Sequence, residues 1–191
     1  GVDNVQHRHG ECCGDVEPDR DIHVPLTTIS NCHKEVDAKE ADRILAATGV
    51  KGGLVVHLGA GDAQLTQALR KNASYQVQGF ERDAAKVAAA RERLLAEKVY
   101  GEVSLDVWRG NQLPYIDNLV NLLVAEDLGG VSLDEVKRVL VPNGVAYIKQ
   151  GGQWQTIKKP RPSEMDEWTH YYYDAKGNAA SHDMLVAPPE R

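Results

Sequence analysis

The chain has 191 residues, 42% of them hydrophobic and 26% charged, which suits one globular domain with appendages and a full buried core. No apolar run approaches the ~20 residues of a membrane-spanning helix. The formal net charge of −6 comes with no stripe of Lys and Arg, which argues against nucleic acid as a partner.

Residues 1–35 carry no sustained hydrophobic period and read as an irregular N-terminal arm. No secretory leader pattern stands out, and the chain opens on Gly1, as a trimmed or mature product would. All three cysteines, Cys12, Cys13 and Cys32, fall in this arm among His7, His9, His23 and His33. A soft-metal site is one reading of that cluster. It lacks a CxxC pair, and adjacent cysteines do not easily ligate one ion in regular geometry. A disulfide from Cys32 to Cys12 or Cys13, pinning the arm, is the simpler expectation, so no metal site is assigned. A helical pattern begins at Glu35, with Val36, Ala41, Ile44, Leu45 and Ala47 on one face and Gly49 available to end it.

Residues 54–62, LVVHLGAGD, organise the rest of the chain. A short apolar strand runs into Gly59-Ala60-Gly61, and a helical pattern then continues to about Lys71, closed by Asn72. Strand, glycine turn and helix in that order hold a nucleotide-like ligand over a helix N-terminus, with glycine keeping Cβ atoms out of its way. Residues 75–80 read as a second strand ending on Glu81. That position lies close to the ~20-residue spacing at which an acid reaches a ribose diol. The alternative is a solvent-facing glutamate at a strand end.

Asp83 is a helix cap for residues 84–98. Residues 103–107 make a third strand, followed by a turn through Trp108, Arg109, Gly110 and Asn111. Residues 119–124 are apolar enough for a central parallel strand, and Glu126 and Asp127 lie in the loop behind it. Ser132 with Glu135 is a capping-box pattern for a helix over 133–140. Pro142-Asn143-Gly144 then turns into a fifth strand over 145–149, and residues 153–157 return antiparallel after Gly151-Gly152.

Five strands separated mainly by helices predict an α/β fold with a doubly wound, Rossmann-like, mostly parallel sheet shortened at its C-terminal end. It spans residues 36–159, with 160–191 as a C-terminal extension or linker. A ligand belongs beyond the C-terminal strand ends, where the glycine turn, Glu81, Trp108, Arg109 and Glu126 are expected to converge. A dinucleotide fingerprint needs glycine where the chain has Gln64, which weakens a dinucleotide-dependent oxidoreductase.

The segments VVHLGAGDAQLTQAL, VQGFERDAAKVAAARERL and VKRVLVPNGVAYIK resemble class I S-adenosylmethionine-dependent methyltransferases over roughly residues 36–150. The resemblance implies S-adenosylmethionine, or its product S-adenosylhomocysteine, as cofactor. It would place Gly59, Ala60 and Gly61 beneath the methionine moiety, Glu81 on the ribose, Arg82 beside the adenine, and Trp108 and Arg109 flanking that ring. His57 stands where those enzymes often carry an acid, and Arg109 where an acid often accepts from the exocyclic amine. On the catalytic side only Glu126 and Asp127 are candidates, as a general base. The (Asn/Asp)-Pro-Pro-aromatic motif of amino-group methylation is missing, and no cysteine falls near the sheet.

The tail KPRPSEMDEWTHYYYDAKGNAASHD and the run LPYIDNLVNLLVAEDLGGVS resemble large planctomycete-type proteins, in which a methyltransferase-like domain precedes a pyrroloquinoline-quinone-type β-propeller. That resemblance implies an exported or periplasmic location and an intramolecular contact with a propeller. Trp168, His170, Asp174, Asn178, His182 and Asp183 would then line a metal or domain contact, or form a turn and its packing. Two functions stand: methyl transfer to an unspecified acceptor, or a non-catalytic scaffold or interaction module of a larger exported β-propeller protein.

Overall fold

Helix-forming and strand-forming runs fold in the order α1 (Leu26–Thr48), β1 (Gly53–Leu58), α2 (Gln64–Ala68), β2 (Tyr75–Glu81), α3 (Ala84–Ala96), β3 (Val103–Val107), β4 (Val120–Ala125), α4 (Leu133–Val139), β5 (Leu140–Gln150) and β6 (Gln153–Lys158). The computed structural model describes residues 26–167, 171, 175–177, 180 and 182–184. Among the described residues six strands form one sheet in the order β3-β2-β1-β4-β5-β6. Every pairing is parallel except the β5–β6 hairpin. This is the doubly wound α/β sheet that the sequence predicts.

Strand residues alternate between faces. β1 therefore sends Val55 to one side and Val56 and Leu58 to the other, while β4 divides Leu122 and Val124 from Leu123 and Ala125. The first side packs on Ala41 and Ile44 of α1 and on Val87, Ala90 and Leu94 of α3. The second packs on Val136 and Val139 of α4 and on Leu113 from the loop after β3. Burial on both faces is why β1 and β4 are nearly continuous apolar runs.

Three elements differ from their sequence reading. The first helix begins at Leu26, not Glu35, so Cys32 and His33 lie on helical backbone. Its opening turns are rich in Thr and Ser, weak helix formers that hide the period. Cys12, Cys13, His7, His9 and His23 lie outside the described residues. Second, α2 stops at Ala68. The chain tightens there, with Arg70 N donating to Gln67 O at 3.1 Å and Lys71 N to Leu69 O at 3.1 Å. Third, Pro142-Asn143-Gly144 is not a turn before β5 but a bulge inside it. Val120 pairs with Leu140 and Leu122 with Val145, so extra residues of β5 loop out between the two pairs. Asn143 takes a left-handed φ of 65° there. Asn143 N donates to Lys159 O and Lys159 N to Gly144 O, at 3.0 and 2.9 Å, so the bulge stays paired with the chain leaving β6.

The caps are local successes with one twist. Asp83 accepts from Ala85 N at 2.9 Å, and Ser132 accepts from Glu135 N at 3.1 Å. Glu135 does not reach back to complete the capping box. Its carboxylate takes the buried N–H of Leu113 at 2.7 Å and two donors of Arg138, tying the loop after β3 to α4.

Beyond β6 no helix or strand is assigned among the described residues. Asp166 accepts from His182 N at 2.6 Å, and Asp166 N lies 3.5 Å from an oxygen of Asp183. Trp168, His170, Asp174 and Asn178 lie outside the described residues. Among the described residues no helix is long and apolar enough to cross a membrane. No group of three His, Cys, Asp or Glu side chains among them is placed to hold a metal ion.

Candidate functional site

The chain winds outward from β1 through β2 to β3, then returns to β4 on the other side of β1. Such a reversal leaves a crevice at the C-terminal strand ends. A cleft of about 140 Å³ lies there. Leu58 and Gly59 line it from the end of β1, and Phe80, Glu81 and Arg82 from the end of β2. Trp108 after β3 and Asp127, Leu128 and Gly129 after β4 complete the wall.

The glycine loop bends as it does because of its backbone. Gly59 and Gly61 have φ of 76° and 55°, and a Cβ at either would stand in open space. The turn thus needs glycine, and its outer surface is bare main chain. Gly59 N and Ala60 N both donate to Phe80 O, at 2.9 and 3.0 Å, which folds the loop over the end of β2.

Glu81 closes that contact. One carboxylate oxygen accepts from Gly61 N at 2.8 Å, and the other from Arg82 N at 2.7 Å and Asp83 N at 3.3 Å. An ionised carboxylate offers about four acceptor positions, so one remains on the oxygen facing Gly61. Partial desolvation pushes the Glu81 pKa up, but the three backbone donors and the charge of Lys86 outweigh it and hold the group below the usual carboxylate value.

His57 is not in the cleft wall. It is 4% exposed and faces α2, where Nδ1 lies 2.8 Å from the hydroxyl of fully buried Thr66. Burial pushes its pKa down to about 4, with the Glu81 charge opposing, so the imidazole is neutral at neutral pH. Ala60 is likewise turned inward, at 4% exposure.

Of the residues marked in the sequence, Gly59, Glu81, Arg82, Trp108 and Asp127 converge on the cleft, and Gly61 joins them through Glu81. Arg109 stands behind, its Nε donating to Arg82 O at 3.0 Å. Glu126 points elsewhere, 3.8 Å from Lys149 Nζ. Asp127 accepts from Gly129 N at 2.9 Å. Leu58, Phe80, Leu128 and Gly129 escaped the sequence reading. Phe80 was detectable as the apolar residue next to Glu81, whose ring lies 5.9 Å from Trp108.

No protein-family model matches the sequence, and no curated protein matches it. Solved structures do. The [4+2]-cyclase SpnF superposes with a TM-score of 0.52 at 23% identity, over 58% of this chain and 43% of that one. Geranyl diphosphate C-methyltransferase from Streptomyces coelicolor A3(2) gives 0.55 at 17%, over 64% and 48%. A candidate S-adenosyl-L-methionine-dependent methyltransferase from Methanococcus maripaludis gives 0.52 at 17%, over 66% and 64%. This is the class I methyltransferase fold. The chain spans between 43% and 64% of the length of these three structures. Within the methyltransferase fold the cleft is small: small-molecule sites usually enclose ~300 Å³ or more.

Proposed function

We propose that the chain binds S-adenosylmethionine or S-adenosylhomocysteine at this crevice, as a methyltransferase-like domain. The observation that carries the reading is the 2.8 Å bond between Gly61 N and Glu81. It fixes a bare glycine loop beside a carboxylate that keeps one acceptor position open. The residues present suit an adenosyl group. Gly59 and Gly61 offer main chain with no side chain in the way, Glu81 can take a ribose hydroxyl, and Phe80 and Trp108 supply an aromatic wall for a base. One solved neighbour, the geranyl diphosphate enzyme, was determined with S-adenosyl-L-homocysteine bound.

When bound, S-adenosylmethionine supplies an electrophilic methyl group. The chain's own part is to bind and orient, which is where proximity catalysis begins. Asp127, the candidate base that lines the cleft, would accept the acceptor's proton. A thermal-shift series tests the binding reading: S-adenosylhomocysteine raises the melting temperature and NAD does not.

A second reading has its own support. Fold does not dictate chemistry, and one neighbour is a [4+2]-cyclase. The small cleft and the outward Glu126 favour a non-catalytic scaffold or interaction module. The resemblance of the tail to the planctomycete-type junction supports placing the domain ahead of a β-propeller in an exported protein. Methylation assays with labelled S-adenosylmethionine separate the two, since a scaffold binds the cofactor weakly or not at all and transfers nothing.

A further inference from the structure

Arg82 reaches from one wall of the cleft to the other. Its guanidinium Nη2 donates to the carbonyl of Gly129, joining the end of β2 to the loop after β4. In the sheet β1 runs between those two strands, so the bond crosses the C-terminal end of β1. Both ends of the crossing are built. Arg109 Nε donates to Arg82 O at 3.0 Å and steadies the root, while Asp127 accepts Gly129 N at 2.9 Å and steadies the far anchor. Gly129 has a φ of 59°, and a Cβ there would stand 2.7 Å from Arg82 Nη2. Glycine suits this left-handed position and leaves the guanidinium room against the carbonyl; a Cβ would make the Arg82 side chain shift. Arg82 and Gly129 line the same cleft as Leu58 and Gly59.

We propose that the Arg82–Gly129 bond is a latch over the crevice, which opens before an adenosine-sized ligand enters. Arg82 then governs access and apparent affinity instead of serving as a ligand contact. The inference rests on the adenosyl-ligand reading for its ligand, and on the geometry alone for the latch. About 140 Å³ is less than half of the ~300 Å³ at the lower end of small-molecule sites, so the cleft as it stands is too small to enclose an adenosine-sized ligand, and opening the Arg82–Gly129 bond would enlarge it. Arg82 is exposed, and water competes for its bond, so the closed form is favoured only modestly. Apparent affinity scales with the open fraction, which puts the penalty at about three- to tenfold.

The test uses the full chain labelled with 5-fluorotryptophan. It has three tryptophans, Trp108, Trp154 and Trp168, and the Trp108 signal is the one lost in Trp108→Phe. Arg82→Met keeps the stem and removes the donors, and Arg82→Lys keeps the charge on a shorter reach. Without ligand, Arg82→Met should shift the Trp108 resonance and make it more sensitive to a soluble gadolinium chelate. S-adenosylhomocysteine should bind Arg82→Met about three- to tenfold more tightly than wild type, with Arg82→Lys between. Arg82→Lys carries the same comparison if Arg82→Met does not fold. Unchanged Trp108 exposure in a folded variant, or measurable binding that is no tighter in Arg82→Met than in wild type, overturns the latch. If Trp108 becomes exposed and neither protein binds the ligand, the latch stands and the adenosyl reading falls.

Discussion

The carboxylate of Glu81 accepts the backbone N–H of Gly61 at 2.8 Å, so the last residue of β2 and the loop after β1 form one rigid corner. Neither residue alone marks a site: glycine turns and strand-end acids are both common. The bond between them ties the loop to the end of β2 and helps to lower the Glu81 pKa, at a residue that lines the crevice.

Removing that carboxylate costs stability and binding together. In Glu81→Ala the N–H groups of Gly61, Arg82 and Asp83 pass to water. Because the group is part exposed, the loss is about 1–2 kcal/mol in urea unfolding, well short of three charged bonds. Affinity for S-adenosylhomocysteine falls at least about tenfold by calorimetry, if the corner holds the ribose. Glu81 is depressed below its ordinary value of 4.5, so its contribution is present above that pH and is lost as pH falls through the folded pKa. Glu81→Gln should flatten the acid side of the stability curve.

His57 gives a pH dependence in a different window. Its ordinary value is 6.5 and its folded value about 4, so between those limits the unfolded chain holds the extra proton. Stability is full above pH 6.5 and declines toward pH 4, by on the order of 3 kcal/mol in all. Urea titrations of wild type and His57→Gln at about pH 7, 6 and 5 check this. An equal slope in both proteins contradicts the buried neutral imidazole.

The end of α3 predicts a stabilising change. Lys98 N donates to Leu95 O and Val99 N to Leu94 O, each at 3.0 Å, with Lys98 at φ 60°. This is a Schellman cap with lysine where glycine is preferred. The Lys98 side chain fills no buried space, so Lys98→Gly relieves backbone strain without opening a cavity, and should add about 1 kcal/mol in urea unfolding.

Glu135 ties α4 to the loop after β3. Glu135→Ala orphans the N–H of Leu113, a residue 2% exposed, and should cost about 2–3 kcal/mol. Glu135→Gln keeps an acceptor for that N–H and should cost about half as much. Both variants also lose the Glu135–Arg138 ion pair, and Arg138 keeps Asp117 in each, so the difference between them reports chiefly on the acceptor for Leu113 N.

The sheet was legible because its strands are buried on both faces, which leaves apolar runs such as residues 54–58 and 119–124 between clear turn signals. Asp83 and Ser132 were legible because caps are local. The first turns of α1 were not, since Thr27, Thr28, Ser30 and Asn31 favour other conformations and only Pro25, just before Leu26, marked the start. The Pro-Asn-Gly bulge in β5 reads as a turn because turn chemistry and bulge chemistry share residues, and pairing to Lys159 decides between them. At the site, Gly59 and Glu81 followed from spacing. The Arg82–Gly129 crossing depends on a partner 47 residues away that no local pattern announces, whereas the inward turn of His57 follows from the strand alternation that puts it on the face of Val55.

Isothermal titration of the purified chain with S-adenosylhomocysteine, with S-adenosylmethionine and NAD alongside, tests the adenosyl-binding crevice most directly. The expected result is one site for the adenosyl ligands, weakened at least about tenfold by Glu81→Ala, and no heat with NAD. Absence of binding by either adenosyl ligand at millimolar concentration, in wild type and Arg82→Met alike, would contradict it and leave the fold as a scaffold.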